Sequence, residues 1–434
     1  MLIPIFDMEL MRKMSFLIFL LCFWISLKNQ NAEPEKGFTT ARWSSSVDSS
    51  LVFLASSSPQ PMVLSSEKEM LEFNGSGSLE YDFYSNLCPQ AEQIVRAVVQ
   101  RLHEVRSDVA PALLRLVFHD CFIEYLYETL FFLVEVIEGF GEASLQGCDA
   151  SVLLDDAEGI DSEKESPPNE TLKGFDIINI IKLEIEEVCP GVVSCADILV
   201  LAARDSVALA GGPFYPLCTG RRDSSNSFSD LATNEIPSPH DDLSQTLASF
   251  ASRGFDERET VTLLGAHSIG VTHCKFFQNR LYNFSDTDKP DPSVDTRFLN
   301  LMRSRCNSTH TSSSSSSATG YSSGSSLSSS GALSNSHEGS PFSSPEEPGM
   351  AMDYEGPGSR FGTLYYRSLL QGRGLLYADQ QLMAGKGTGN WVKAYASHTF
   401  LFRRDFALAM MKLSNHRVLT ASMGHIRLNC SKVG

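Results

Sequence analysis

Residues 113–122 read LLRLVFHDCF, an apolar run interrupted by Arg115, His119, Asp120 and Cys121. Arg115 and His119 are four positions apart, so on a helix they lie one turn from each other on a single face. Upstream, Asp108 is placed to cap, and Pro111 suits a first turn, where its missing N–H is not needed. The stretch is therefore expected to be helical. Polar residues bordering a core helix, each satisfied by hydrogen bonds, would also give this pattern. The rest of the chain has to decide between structure and chemistry.

The chain has 434 residues, 42% of them apolar, enough for one large core or two medium ones. A formal charge of -17 with no basic run of consequence argues against nucleic acid as a partner. Arg12 and Lys13 precede SFLIFLLCFWIS (15–26), a run too short to span a bilayer comfortably, followed by polar KNQNAEPE. That order is the one of a secretory signal peptide, expected over residues 1–30, with Met11 or Met14 a more ordinary start than Met1. No later segment is long and apolar enough to be transmembrane, so no membrane association is expected once the signal is removed. Secretion permits disulfides. Ten cysteines are present, and Cys22 lies in the signal; of the other nine, eight could pair and one would be spare. Spacing alone does not give the pairing.

Residues 31–78 are Ser-rich with little periodicity and read as a disordered extension. From Leu79 to Cys306 the signals are mostly helical. DILVLAARDSVALAG (197–211) has helical apolar spacing and stops at Gly211-Gly212-Pro213, and DERETVTLLGAHSIG (256–270) opens with Asp256 and Glu259 placed as a capping box and ends near Gly265. A second low-complexity stretch, 307–349, reads as a loop interrupting the domain, after which FALAMMKLSN (406–415) resumes the helical pattern. Convincing alternating strands are scarce. One mainly α-helical domain, 79–434, is expected.

A second histidine, His267, sits in LLGAHSIG, and Asp379 sits in LLYADQQLM. Each alone fits a capping or surface role. Together with LLRLVFHDCF, however, the chain carries FYSNLCP (83–89), GCDASVLLDD (147–156), GVVSCADILVLAARDSV (191–207), LAGGPFY (209–215) and TGRRDS (219–224). GAHSIG (265–270), RLYNFS (280–285), ADQQLM (378–383) and IRLNC (426–430) follow in order. The whole string resembles the class III, secretory plant haem peroxidases.

The resemblance implies a mainly α fold with haem b held between a distal and a proximal helical half. It makes His267 the axial ligand, with Asp379 holding its other N–H and rendering the imidazole more electron-donating. It makes His119 the base that takes a proton from H2O2 and returns it to the leaving oxygen, a task suited to imidazole. Arg115 would stabilise the negative charge that develops as the O–O bond breaks. Asn169, in SPPNETLKG, matches the residue that orients the distal His, so its N-x-T sequon is expected to be buried and unmodified. Phe118 matches a ring packed beside the haem, and Pro237, in NEIPSPH, a proline of the aromatic-donor site. The implied activity is H2O2-driven oxidation of phenolic donors by one-electron steps, in a secreted enzyme of the wall, apoplast or vacuole that responds to oxidative stress and is monomeric.

The same resemblance carries over four disulfides: Cys88–Cys189, Cys121–Cys148, Cys195–Cys430 and Cys274–Cys306. Cys218 is then spare and expected to be a small buried hydrophobe. It also implies a distal Ca²⁺ site from Asp120, the Gly147 backbone, Asp149, Ser151 and, through water, Glu163. At a proximal Ca²⁺ site Ser268 replaces the usual Thr. In MDYEGPGSRFGTLYY (352–366), Gly362 stands where the family supplies an Asp, with Asp353 or Tyr354 near another ligand position. One calcium is expected.

The largest departure is EYLYETLFFLVEVIEGFGEASL (124–145), where relatives run almost directly from the equivalent of Ile123 to Gln146. It divides the distal ligands and widens the Cys121–Cys148 spacing. The expectation is intron sequence read as coding, absent from the mature enzyme. The alternative origin is a genuine adaptive loop, and the competing function is that of a catalytically impaired or haem-free family member that serves as a wall or binding protein.

Overall fold

The computed structural model describes residues 79–124, 147–306, 348–354 and 360–433. The signal at 1–30, the extension at 31–78, all of the 124–145 insert except Glu124, and all of the Ser-rich stretch except its last two residues lie outside the described residues.

Among the described residues the chain forms thirteen α-helices and one two-stranded sheet. The helices that frame the site are α1 (Ala91–Val105), α2 (Val109–Phe122), α3 (Phe175–Val188) and α4 (Cys195–Leu209). They are followed by α5 (Ser229–Glu235), α6 (Leu243–Ser252), α7 (Glu257–Leu264), α8 (Gln278–Tyr282) and α9 (Thr296–Cys306). The last four are α10 (Leu364–Leu370), α11 (Tyr377–Gln381), α12 (Lys386–Ser397) and α13 (Thr399–Ser414). The mainly α reading holds. Strands β1 (Val271–His273) and β2 (Gly349–Ala351) pair antiparallel, with Thr272 opposite Met350. Pro348 and Gly349, counted above with the Ser-rich loop, belong to the fold: the Pro348 carbonyl accepts from Cys274 N–H and Gly349 pairs with His273.

Helix α4 is buried along nearly its whole length and packs against α1, α2 and α3. A helix apolar all round belongs in the interior. Its charged members are buried as satisfied groups: Asp197 takes Arg221 at 2.8 Å and the Tyr84 hydroxyl at 2.6 Å. Ser194 caps it from the Asp197 N–H. The Asp256/Glu259 capping box forms as the sequence predicts, and a second, Asp242/Gln245, opens α6. Asp108 does occupy the N-cap of α2 but makes no capping bond. Its carboxylate instead receives both Nε and Nη2 of Arg106, at 3.1 and 3.0 Å, because a charged two-point contact outcompetes a single amide.

All four expected disulfides are formed. Cys195–Cys430 anchors the C-terminal segment to the start of α4 across 235 residues, the longest loop any of them closes. Cys218 is free and only half-buried, beside Tyr81, so it is not the core hydrophobe expected. Among the described residues no helix is long and apolar enough to cross a membrane.

Candidate active site

Helix α2 puts Arg115 and His119 on one face, as the four-residue spacing requires, with Arg115 Nε 3.3 Å from His119 Nε2. The other edge of the His119 ring, Nδ1, meets Asn169 Oδ1 at 2.6 Å, and Asn169 Nδ2 donates to the Glu163 carbonyl at 2.8 Å. An amide oxygen only accepts, so Nδ1 carries the proton and Nε2 keeps its lone pair, directed at Arg115. Burial, and then the Arg115 charge, brings the His119 pKa down to about 3, with the Asn169 bond offsetting part of the fall. The imidazole is therefore neutral and basic at Nε2 at ordinary pH. Arg115 is itself held, by Nη1 on Thr171 Oγ1 at 2.9 Å and Nη2 on the Pro168 carbonyl at 2.8 Å. Burial lowers its pKa to about 10, which leaves it charged. Asn169 is buried. Phe118 stacks on Phe122 at 4.5 Å and stands edge-on to His119.

His267 comes from the far side. Helix α7 ends at Leu264, and a 3-10 turn, Gly265–Ser268, presents the ring. Gly265 has no alternative there: a Cβ would lie 2.3 Å from the Tyr366 hydroxyl and 2.6 Å from Phe402. His267 Nδ1 meets Asp379 Oδ1, on α11, at 2.8 Å. The carboxylate accepts, so Nδ1 again holds the proton and Nε2 is left as a donor of electrons. Burial opposes protonation of His267, yet the Asp379 charge and hydrogen bond outweigh it and raise its pKa; the Arg115 charge reaches it and pulls the other way. His267 keeps 36% of its side-chain surface accessible although it sits deep enough for burial to be the leading influence on its charge. Sequence reading missed Tyr365 of α10, whose hydroxyl donates to the same Asp379 oxygen at 2.8 Å; its only sequence signal is the Tyr pair in LYYRSLL.

Residues 95–398 match the protein family described as Peroxidase. The chain is 48% identical to a protein of Arabidopsis thaliana provisionally named Peroxidase 48, over 82% of each chain. It is 35% identical to Peroxidase 10 of Arabidopsis thaliana, over 83% of this chain and 87% of that one, and 36% identical to Peroxidase 70 of Zea mays, over 82% and 92%. The chain belongs to the class III plant peroxidases.

Asp120, near the end of α2, is buried, as are Asp149, Ser151 and Glu163. Each carboxylate keeps one oxygen without a hydrogen bond: Asp120 Oδ1, Asp149 Oδ2 and Glu163 Oε2. The other oxygens are spent on amides, Asp120 Oδ2 on Ala150 N–H at 3.1 Å and Asp149 Oδ1 on Ser151 N–H at 3.0 Å. Burial and mutual repulsion push the Asp120 pKa well up, burial raises Asp149, and burial with Asp149 takes Glu163 to about 7. Buried anionic oxygens without partners fit a hard cation. Among the described residues no three His, Cys, Asp or Glu side chains close on one point, so a cation here would also need hydroxyl, carbonyl or water oxygens.

On the proximal side the described residues offer fewer carboxylates. Ser268 Oγ accepts from Gly362 N–H at 3.4 Å, and Gly362 has no carboxylate to offer. Tyr354 stacks on Phe298 at 4.4 Å and its hydroxyl turns to the Arg373 carbonyl, while Asp353 is buried. Pro237 is half-buried in a loop joined to α11, where the Pro239 carbonyl accepts from Ala378 N–H at 3.1 Å.

The flanks of the insert meet at one place. Glu124 accepts from His416 and, at 2.7 Å, from Arg417, whose carbonyl accepts from Gly147 N–H at 2.9 Å. A Cβ on Gly147 would lie 3.3 Å from the Cys121 carbonyl and 3.5 Å from that of Ile123. The corner carrying Asp120, Gly147, Asp149 and Ser151 is thus closed with the insert in the chain. Nothing in the arrangement of Arg115, His119, Asn169, His267 and Asp379 favours a disabled member of the family.

Proposed function

We propose that this peroxidase binds haem b between His267 and the Arg115/His119 face and uses H2O2 to oxidise phenolic donors one electron at a time. The observation that carries the reading is the pair of hydrogen bonds at the two Nδ1 atoms, which set the tautomers. Both histidines commit Nδ1 to an acceptor, Asn169 Oδ1 for His119 and Asp379 Oδ1 for His267, which leaves the lone pair on Nε2, and in His119 that atom lies 3.3 Å from Arg115 Nε. His267 Nε2, backed by Asp379, has the chemistry of an axial ligand. Haem, when bound, would supply the two-electron reaction with peroxide and take back one electron from each of two donors.

The remaining work falls to side chains. His119 Nε2 would take the proton from the peroxide oxygen that is retained and hand it to the departing oxygen, which leaves as water as the O–O bond breaks with the two electrons supplied by the haem. Arg115, fixed by Thr171 and Pro168, faces the charge on that departing oxygen with no motion of its own. Asn169 keeps Nδ1 protonated so that Nε2 stays basic. Phe118 would pack beside the haem, and Pro237 would contact aromatic donors. The Asp120, Asp149, Ser151 and Glu163 cluster, with the Gly147 carbonyl, would hold one Ca²⁺. We assign the working domain to residues 79–434, a monomer released by the secretory route.

Purified protein should show a haem Soret band and oxidise guaiacol only with peroxide. Arg115→Leu and His119→Ala should slow the peroxide step by orders of magnitude with haem retained. Either variant reacting as fast as the parent would overturn the assigned roles.

A further inference from the structure

Asp379 is 1% exposed and uses its two oxygens unequally. Oδ1 receives both His267 Nδ1–H and the Tyr365 hydroxyl, each at 2.8 Å, whereas Oδ2 has no hydrogen-bond partner. The sharing is enforced from outside. Gln380, next to Asp379, accepts from Gly374 N–H at 2.9 Å and donates to the Leu369 carbonyl at 3.1 Å, which locks α11 to the end of α10. Tyr365 is further wedged edge-on against both His267 and Tyr366, with ring centres 6.2 and 5.0 Å away. A phenol hydroxyl is protonated at neutral pH, so Tyr365 is a donor to Asp379.

We infer that Tyr365 is a positioning residue that restrains the pull of Asp379 on the His267 N–H, and thereby limits how much electron density His267 passes to the haem. The physical reason is competition. A hydroxyl donated to a carboxylate oxygen stabilises its negative charge and makes it a weaker acceptor for the second donor. Without the hydroxyl, Asp379 would draw the Nδ1 proton harder and the imidazole would take on more imidazolate character. More imidazolate means a lower ferric/ferrous potential. This rests on the reading of His267 as axial ligand.

The test is the ferric/ferrous reduction potential, together with the iron–imidazole stretching frequency of the ferrous protein. Tyr365→Phe keeps the ring and should shift the potential to more negative values and the stretch to higher frequency; Tyr365→Leu removes the hydroxyl by another route and should shift both the same way. Tyr366→Phe is the control, since its hydroxyl donates to the Val261 carbonyl at 3.0 Å and does not touch Asp379. It should leave both readouts unchanged. In an Asp379→Asn background, Tyr365→Phe should no longer move the potential. An unchanged or more positive potential in the Tyr365 variants, or an equal fall in Tyr366→Phe, would overturn the inference. If His267→Ala keeps the parent's haem spectrum, the ligand assignment has failed instead, and the two failures are told apart.

Discussion

Replacing Asn169 by Val tests how the distal base is made. The amide makes two buried contacts, accepting from His119 Nδ1 at 2.6 Å and donating to the Glu163 carbonyl at 2.8 Å. Valine keeps most of the volume and makes neither. His119 could move its proton to Nε2, but that atom faces the Arg115 Nε–H at 3.3 Å, and a guanidinium offers donors only. Either tautomer then leaves a buried N–H unsatisfied, at a cost of about 1–3 kcal/mol. At roughly 1.4 kcal/mol per factor of ten, the peroxide step should slow about 5- to 150-fold. The Asn169 bond is also the one influence raising the His119 pKa, so its loss weakens the base further. The assay is stopped-flow mixing with H2O2, read as the second-order constant from the change in haem absorbance. A constant within twofold of the parent would mean that His119 takes its tautomer from another source, and the reasoning would be refuted.

Three further outcomes are expected. Because burial and Arg115 set the His119 pKa at about 3 and the neutral ring is the active form, the peroxide constant should be flat from neutral pH to about pH 4 and fall below that; a midpoint near 6 would contradict it. Metal analysis after exhaustive dialysis should find one equivalent of calcium, matching the three unpartnered carboxylate oxygens of Asp120, Asp149 and Glu163; two equivalents would show that the Ser268–Gly362 region recruits other oxygens. Mature transcripts should lack the codons for 124–145; if most encode it and the protein keeps full activity with calcium bound, the segment is a genuine element rooted by Glu124 on His416 and Arg417.

Much of this fold is written in short-range pattern. The Arg115/His119 face follows from helical period alone, the α7 start from the Asp256/Glu259 pair, and the stop after Leu209 from the Gly211-Gly212-Pro213 run. Such signals act over a few residues and hold whatever the rest of the chain does. The capping role of Asp108 and the buried setting of Cys218 are equally local inferences, and both gave way, one to Arg106 and one to a half-open site beside Tyr81.

What makes the site chemical is not local. His119 finds Asn169 50 positions on, and His267 finds Asp379 112 positions on. The resemblance named these partners. Only packing fixed which nitrogen carries the proton, put Tyr365 on an oxygen already in use, and drew Glu124 and Gly147 to the same arginine. Periodicity tells a side chain which face it occupies; a hydrogen bond depends on tenths of an ångström between groups whose separation is set by every helix packed between them.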